Sequence, residues 1–394
     1  MLLLNDKSHL RPHLISITAA AALAIGMGFG RFSFTGILPV MIQENILSLT
    51  SANYAASSNY MGYLLGALIL SRARPESAKK LCVVSMLSTT VCMILLSIFT
   101  YPPSITLIRF FSGVFSAFSI VSASLWLLQH MRHTNGAPMM FSGVGIGIFI
   151  SAECIFACKT FGVASQCIWL ICGVITLIPF IMVYKFWAIP AEEISFKINH
   201  IKKEVIASEY NRGAAYKLLF VYGFSGFGYI ITATYLPLFL KNSLTSVDPI
   251  QIWAIFGLSV IPSCFFWHKF VKWVGFKSSL IVNLLLQAIG VIFPVFGQSM
   301  GFCIISAALV GFTFMGTVTI TLPVAKKLNK YVKFNMIAAM TTVYGIGQIL
   351  GPLVANKLFI MTHGFNSSLI TAALVLLIAS MVCLSIKKSK IKLL

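Results

Sequence analysis

Three ionisable residues stand inside long apolar stretches of this sequence: Arg31, Arg109 and Glu153. A guanidinium at membrane depth costs at least a few kcal/mol, so it must face protein or water rather than acyl chains. Arg31 lies roughly 26 Å along a helix beginning near Leu14, somewhat past the bilayer midplane. Two roles fit it. It lines a central cavity and binds an anionic group on a solute, or it locks helices together by pairing with Glu153 or a carbonyl. Arg109 stands about 8 Å inside its own stretch, close enough for a long side chain to reach the interface. Glu153 is the only acid well inside an apolar stretch, about 22 Å from the start at Pro138 and in the same half of the bilayer as the two arginines. Paired with arginine, a carboxylate stays ionised; unpaired in apolar surroundings, it can carry a proton. Proton coupling and a structural ion pair are both open for Glu153.

The stretch that holds Arg31 is repeated. Gly26-Met-Gly-Phe-Gly-Arg-Phe-Ser-Phe-Thr-Gly-Ile-Leu-Pro39 returns as Gly226-Phe-Gly-Tyr-Ile-Ile-Thr-Ala-Thr-Tyr-Leu-Pro237. Gly28 maps to Gly226, Gly30 to Gly228 and Pro39 to Pro237, all at an offset of 198 residues. Gly113 maps to Gly311 at the same offset, and Gly143-Val-Gly-Ile-Gly147 maps to Val343-Tyr-Gly-Ile-Gly347 at an offset of 200. A period of half the chain means two copies of one unit in the same order. In the second copy Tyr229 takes the place of Arg31, and the polar residues are neutral: Thr232, Thr234, Asn283, Gln287, Thr341, Tyr344 and Gln348 among them. Charge recognition is therefore expected in the first half and neutral hydrogen bonding in the second. The expected solute path holds Arg31, Arg109, Tyr229, Thr232, Tyr344 and Gln348. Many of these polar groups could instead bond to neighbouring helices.

The elements that position these residues must be membrane-spanning. The chain has 394 residues, 58% hydrophobic and 10% charged. A soluble domain carries about 25% charged residues. This composition makes a bundle whose outer face meets lipid. Twelve apolar stretches of spanning length are predicted at 14–42, 52–71, 81–101, 104–129, 138–161, 165–184, 214–240, 250–271, 277–297, 300–325, 334–357 and 366–386. The net charge of +20 sits between them, on one side. Of the 29 Lys and Arg, 24 fall in one set of connections and only Lys159, Lys241 and Lys357 in the other. That asymmetry places both termini in the cytoplasm. It does not gather on a recognition face, so no nucleic-acid partner is expected. The first apolar stretch is long for a cleavable leader. The polar stretch from Lys185 to Lys217 divides the halves, giving residues 1–190, a cytoplasmic linker at 191–213, and residues 214–394.

Glycine and proline mark helix faces and ends. Gly26-x-Gly28-x-Gly30 lies inside a spanning helix, not at a strand-to-helix turn, which argues against a nucleotide loop. Gly62/Gly66, Gly143/Gly147 and Gly347/Gly351 have the four-residue spacing that lets helices touch closely. Smooth glycine faces on spans five and eleven are expected to tilt against the opposite half during gating. Pro39, Pro237 and Pro352 are expected to kink or stop helices near their ends. The nine cysteines lack a Cys-x-x-Cys pair and read as small packing residues, not metal or disulfide sites. The seven histidines lie in connections or at span ends, and no hydrolase, zinc-protease or P-loop motif is present. An enzyme and an ATP-driven pump are disfavoured, and no cofactor or metal is expected.

Several blocks together resemble a known family. Gly28-Phe-Gly-Arg31-Phe, Asn59-Tyr-Met-Gly-Tyr-Leu-Leu-Gly66, Gly143-Val-Gly-Ile-Gly147, Gly226 to Pro237, and Tyr344-Gly-Ile-Gly-Gln-Ile-Leu-Gly-Pro352 resemble the YbfB/YjiJ branch of the major facilitator superfamily. The resemblance covers essentially the whole chain. It implies an all-α major facilitator fold of twelve transmembrane helices in two pseudo-symmetric six-helix halves, working by alternating access in a bacterial inner membrane. Arg109 with Gly113 also resembles the superfamily's fourth-helix Arg-Gly motif. One departure stands out. The Asp-Arg pair usual after the glycine between helices two and three is absent: Gly66 is followed by Ala-Leu-Ile-Leu-Ser-Arg72-Ala-Arg74.

The expectation is a monomeric secondary transporter of a small, anionic solute, coupled to protons through Glu153 and surrounded by lipid. Its site is expected among spans one, four, seven and ten, with contributions from five and eleven. The glycine face of span five resembles that of exporters. A sensor or scaffold that moves nothing is the alternative, though no connection is large enough to be a partner-binding domain.

Overall fold

Apolar stretches this long have one low-cost backbone solution in lipid, the α-helix, which satisfies its own N–H and C=O groups. The structure, a computed structural model, describes residues 7–188, 212–240, 248–297 and 299–386, with side chains from residue 12 onward except at 49, 235–240 and 330. Among these residues twelve long helices follow one another. Helix α1 covers 7–43 in three segments, Lys7–Leu23, a π-helical Ala24–Phe32 and Ser33–Gln43. Then come α2 (Leu49–Ile69), α3 (Ala78–Ile98), α4 (Pro102–His130), α5 (Ala137–Thr160) and α6 (Ser165–Ala188). The second half holds α7 (Arg212–Leu240), α8 (Pro249–Val274), α9 (Phe276–Phe296), α10 (Met300–Leu328), α11 (Met336–Thr362) and α12 (Asn366–Leu384). Even α12, at 19 residues, is about 28 Å long, close to the thickness of a hydrocarbon core.

Eleven of the twelve are long and apolar enough to span; α2 is the exception. Two of its polar side chains bond to protein rather than face lipid. Ser58 Oγ donates to Thr106 O at 2.9 Å and Asn59 Nδ2 to Arg109 O at 2.9 Å, both on α4. Helix starts are capped by Ser48, Asp248 and Asn335, whose side chains accept backbone N–H groups. The tight turns after α5 and α8 use Gly162 and Gly275 at φ +68° and +83°, which glycine adopts without strain.

The packing repeats with the sequence. Within the first half α2 packs on α4, α3 on α4 and α6, and α1 on α5; within the second α8 packs on α10, α9 on α10 and α12, and α7 on α11. Between halves, α2 meets α11 and α5 meets α8. Advancing each helix by six turns the first of these contacts into the second, as a two-fold relation requires. Two membrane-facing grooves obey the same rule. One, about 390 Å³, runs beside Ala21, Gly143, Gly147 and Ile150. The other, about 510 Å³, runs beside Leu219, Val343, Gly347 and Leu350.

Some expected details change. Residues 189–211, most of the expected linker, lie outside the described residues, and Arg212 and Gly213 already belong to α7. Pro39 stops nothing, because α1 runs on to Gln43. Pro352 lies well inside α11, ten residues before its end at Thr362. Lipid-side helices tolerate such prolines because neighbours reorganise around the freed carbonyl. Helix α7 also runs through Pro237, whose side chain is outside the described residues.

Candidate functional site

The π-helical turn of α1 sets the geometry of the site. Ala24–Phe32 contains Gly26, Gly28 and Gly30, and its i→i+5 bonding widens the helix beneath Arg31. Bonding has returned to the α-helical form at Ser33, whose N–H donates to Phe29 O. Helix α4 adds side-chain donors to the carbonyls beside this junction. Arg109 Nη1 donates to Gly30 O at 3.0 Å and Nη2 to Arg31 O at 3.2 Å. Ser112 Oγ adds a bond to Gly30 O at 2.7 Å. The Arg109 guanidinium also stacks on Phe34, 4.4 Å from its centroid. Arg109 is therefore a brace for the turn that carries Arg31. It neither snorkels nor reaches across the halves.

Glycines let the bracing helices approach. A Cβ at Gly28 would lie 2.5 Å from the Gly147 backbone, and one at Gly143 would lie 2.1 Å from Ala20 O. In the second half a Cβ at Gly347 would lie 2.2 Å from Gly223 O, and one at Gly226 would lie 2.7 Å from Tyr344 O. Gly30 meets Thr89, Gly228 meets Leu376 and Gly351 meets Ile230 in the same way. These contacts are all within a half. The expectation that the Gly143/Gly147 and Gly347/Gly351 faces slide against the opposite half is corrected by this packing. Glycines that do face across include Gly145 and Gly257 at the α5–α8 contact and Gly345 at the α2–α11 contact, where a Cβ would lie 3.5 Å from Leu64.

Arg31 points at the other half. Nη2 donates to Gln348 Oε1 on α11 at 2.6 Å, and Gln348 Nε2 in turn donates to the Tyr229 hydroxyl on α7. The guanidinium lies 4.3 Å from the Tyr63 centroid and 5.2 Å from that of Tyr60, both on α2. Tyr229 stacks between Phe314 of α10, at 4.6 Å, and Tyr344 of α11, at 5.5 Å. Arg31 is only 3% exposed, so it faces no acyl chains. Its Nε and Nη1 have no hydrogen-bond partner.

A cavity of about 20 Å³ borders this cluster, room for roughly one water. Its walls come from α1, α2, α4 and α7 and include Arg31, Phe34, Tyr60, Arg109 and Thr234. The expected α5, α10 and α11 do not line this cavity and α2 does, although α11 reaches Arg31 through Gln348. The polar residues of α2 at Asn53 and Tyr60 were the available sequence signal. Thr232 is fully buried on α7 but lies off the cavity wall. The tyrosine hydroxyl of Tyr60 meets Thr234 Oγ1 at 2.9 Å, a second polar contact between the halves.

Glu153 is not brought to Arg31. It is half-buried on the face of α5 that carries the exposed Ile150, and makes no hydrogen bond or ion pair among the described residues. The expected Arg31–Glu153 lock is corrected. Among the described residues the one ion pair is Lys159–Asp248, which joins the end of α5 to the start of α8. At the lysine-rich end, Lys326 Nζ of α10 donates to Leu128 O near the end of α4 at 2.9 Å. Arg72 and Arg74 are exposed there and have no ion-pair partner among the described residues. The halves are thus pinned at the centre and near both ends.

A sequence profile described as uncharacterised MFS-type transporter YbfB matches residues 23–384. The chain belongs to this family. It is therefore a multi-pass major facilitator transporter, not an enzyme. The transporter has no match among curated proteins. Its twelve helices and the two-fold pattern of their contacts are those the major facilitator fold requires.

Proposed function

We propose that this transporter moves a small anionic solute by alternating access, with Arg31 as the group that binds it. One observation carries the reading. Arg31 is buried between the halves, two of its three nitrogens lack acceptors, and no carboxylate among the described residues pairs with it. A buried cation without a counter-charge is costly unless an anion arrives to complete it. Gln348 then serves as a placeholder. It satisfies one N–H in the closed state and hands it to the solute when the halves part.

The lysine-rich end faces the cytoplasm of a bacterial inner membrane, because 24 of the 29 basic residues lie in connections on that side. Glu153, the only acid inside a span and without an ion-pair partner among the described residues, is the proton carrier of this reading. Export is its direction. The test is solute flux in proteoliposomes of known protein orientation under an imposed pH gradient, with solutes chosen by ligand-induced thermal stabilisation. Arg31→Gln should abolish flux, and Glu153→Gln should leave binding intact while removing the response to the gradient. Unchanged flux in Arg31→Gln would overturn the role of Arg31. An unchanged gradient response in Glu153→Gln would overturn that of Glu153.

A further inference from the structure

We infer that the solute is an aromatic monocarboxylate, a step that rests on the transport reading above. Donor geometry sets the first limit. Arg31 keeps two unpartnered nitrogens, whereas both terminal nitrogens of Arg109 are held by the carbonyls of Gly30 and Arg31 and only its Nε is free. One open guanidinium fork matches one carboxylate. A second carboxylate would find no second open fork and would be buried short of donors. A zwitterion would need an acid for its cationic end, and no acid lies beside Arg31 among the described residues.

The walls set the second limit. Phe32, Phe34 and Tyr60 share the cavity with Arg31. Behind them Tyr229, Phe314 and Tyr344 form a stack with centroid spacings of 4.6 and 5.5 Å. Phe32 reaches the same stack, 5.8 Å from Phe314 in edge-on geometry. A planar ring placed among these faces gains about 0.5–1.5 kcal/mol per aromatic contact beyond its burial. A saturated ring of equal size gains only the burial. Carboxylate geometry suits the guanidinium fork, which takes two parallel hydrogen bonds. The cavity of about 20 Å³ holds no such molecule, so binding must part Tyr60 from Thr234 and Arg31 from Gln348.

The experiment titrates the purified full-length protein in detergent with benzoate, cyclohexanecarboxylate, phthalate, benzylamine and inorganic phosphate, reading binding by calorimetry and by thermal stabilisation. Benzoate should bind at least tenfold more tightly than cyclohexanecarboxylate or phthalate, and benzylamine and phosphate should not bind. Arg31→Gln should lose benzoate by at least tenfold, Arg31→Lys by less, and Tyr229→Leu should narrow the gap between benzoate and cyclohexanecarboxylate. Equal binding of the two ring acids, or tighter binding of phthalate or phosphate, in each case sensitive to Arg31, sinks the aromatic monocarboxylate while the anion-transport reading stands. Binding of benzylamine alone, or anion binding indifferent to Arg31, sinks both. Absence of binding by every probe overturns the present inference, and the wider solute panel then judges the transport reading separately. The unfolding temperature of each variant separates lost binding from lost fold.

Discussion

Arg31 and Arg109 have the same chemistry and opposite duties. Arg109 satisfies backbone acceptors; Arg31 offers donors across the gap between the halves. Their replacements should therefore diverge. Arg109→Met strips Arg31 O of its side-chain donor and leaves Gly30 O to Ser112, which should cost roughly 1–3 kcal/mol and lower the unfolding temperature. Arg31→Met removes a buried charge that no acid compensates, so the unfolding temperature should hold or rise while solute binding disappears. A large loss of stability in Arg31→Met would make Arg31 a structural lock instead. The sequence made Arg31, Tyr229 and Gln348 legible because each is polar, deep in an apolar stretch and, for the first two, related by the repeat. It could not reveal the partners of Arg109, because backbone carbonyls carry no side-chain signature. Depth misled for Glu153: distance along a helix says nothing about which face a residue occupies, and its face is shared with Ile150.

Helices meet here through glycine, and the two copies should respond alike when that contact is filled. Gly143→Ala and Gly347→Ala each push a methyl group into a facing carbonyl, at 2.1 and 2.2 Å, and should each destabilise by roughly 1–3 kcal/mol. Gly301→Ala, where nothing lies within 4 Å, should be neutral or slightly stabilising. Thermal unfolding of the three variants decides it. The four-residue spacing announced these contacts, but not whether they lay within a half or across, since spacing fixes a face and not its partner. The π-helical turn was hidden for a similar reason. A glycine run permits it, and the brace from α4 selects it. The connection between α4 and α5 adds a pH response. Burial, and then the nearby His13, lower the His133 pKa below its usual 6.5. A depressed folded-state pKa gives stability that is present above the unfolded value and is lost as pH falls below it. Unfolding temperature should thus drop between pH 7 and pH 5, less steeply in His133→Gln.

Across the whole molecule, the two halves are pinned at three levels. The centre has Arg31–Gln348–Tyr229, one end Lys159–Asp248, the other Lys326 on the carbonyl end of α4. A cation at a helix C-terminus is favoured by the helix dipole, so the Lys326 contact is more than incidental. Lys159→Met should loosen its end without disturbing the cap that Asp248 gives to α8 through Ile250 N–H. The twelve-helix bundle and its duplication were legible in the sequence because lipid leaves helices few alternatives and the repeat keeps its register. The pins were not, because they join residues far apart in the chain that lack any shared spacing.

The most direct test of this account is a pair of distances between the halves, measured by pulsed electron resonance in lipid nanodiscs with non-canonical spin-labelled residues. One pair, at Thr160 and Gln251, reports the Lys159–Asp248 end; the other, at Arg132 and Lys327, reports the lysine-rich end. Alternating access predicts that Lys159→Met lengthens the first distance and shortens or preserves the second, shifting weight between two discrete populations. Single, unshifted distances at both ends, in the wild type and in Lys159→Met, would contradict it.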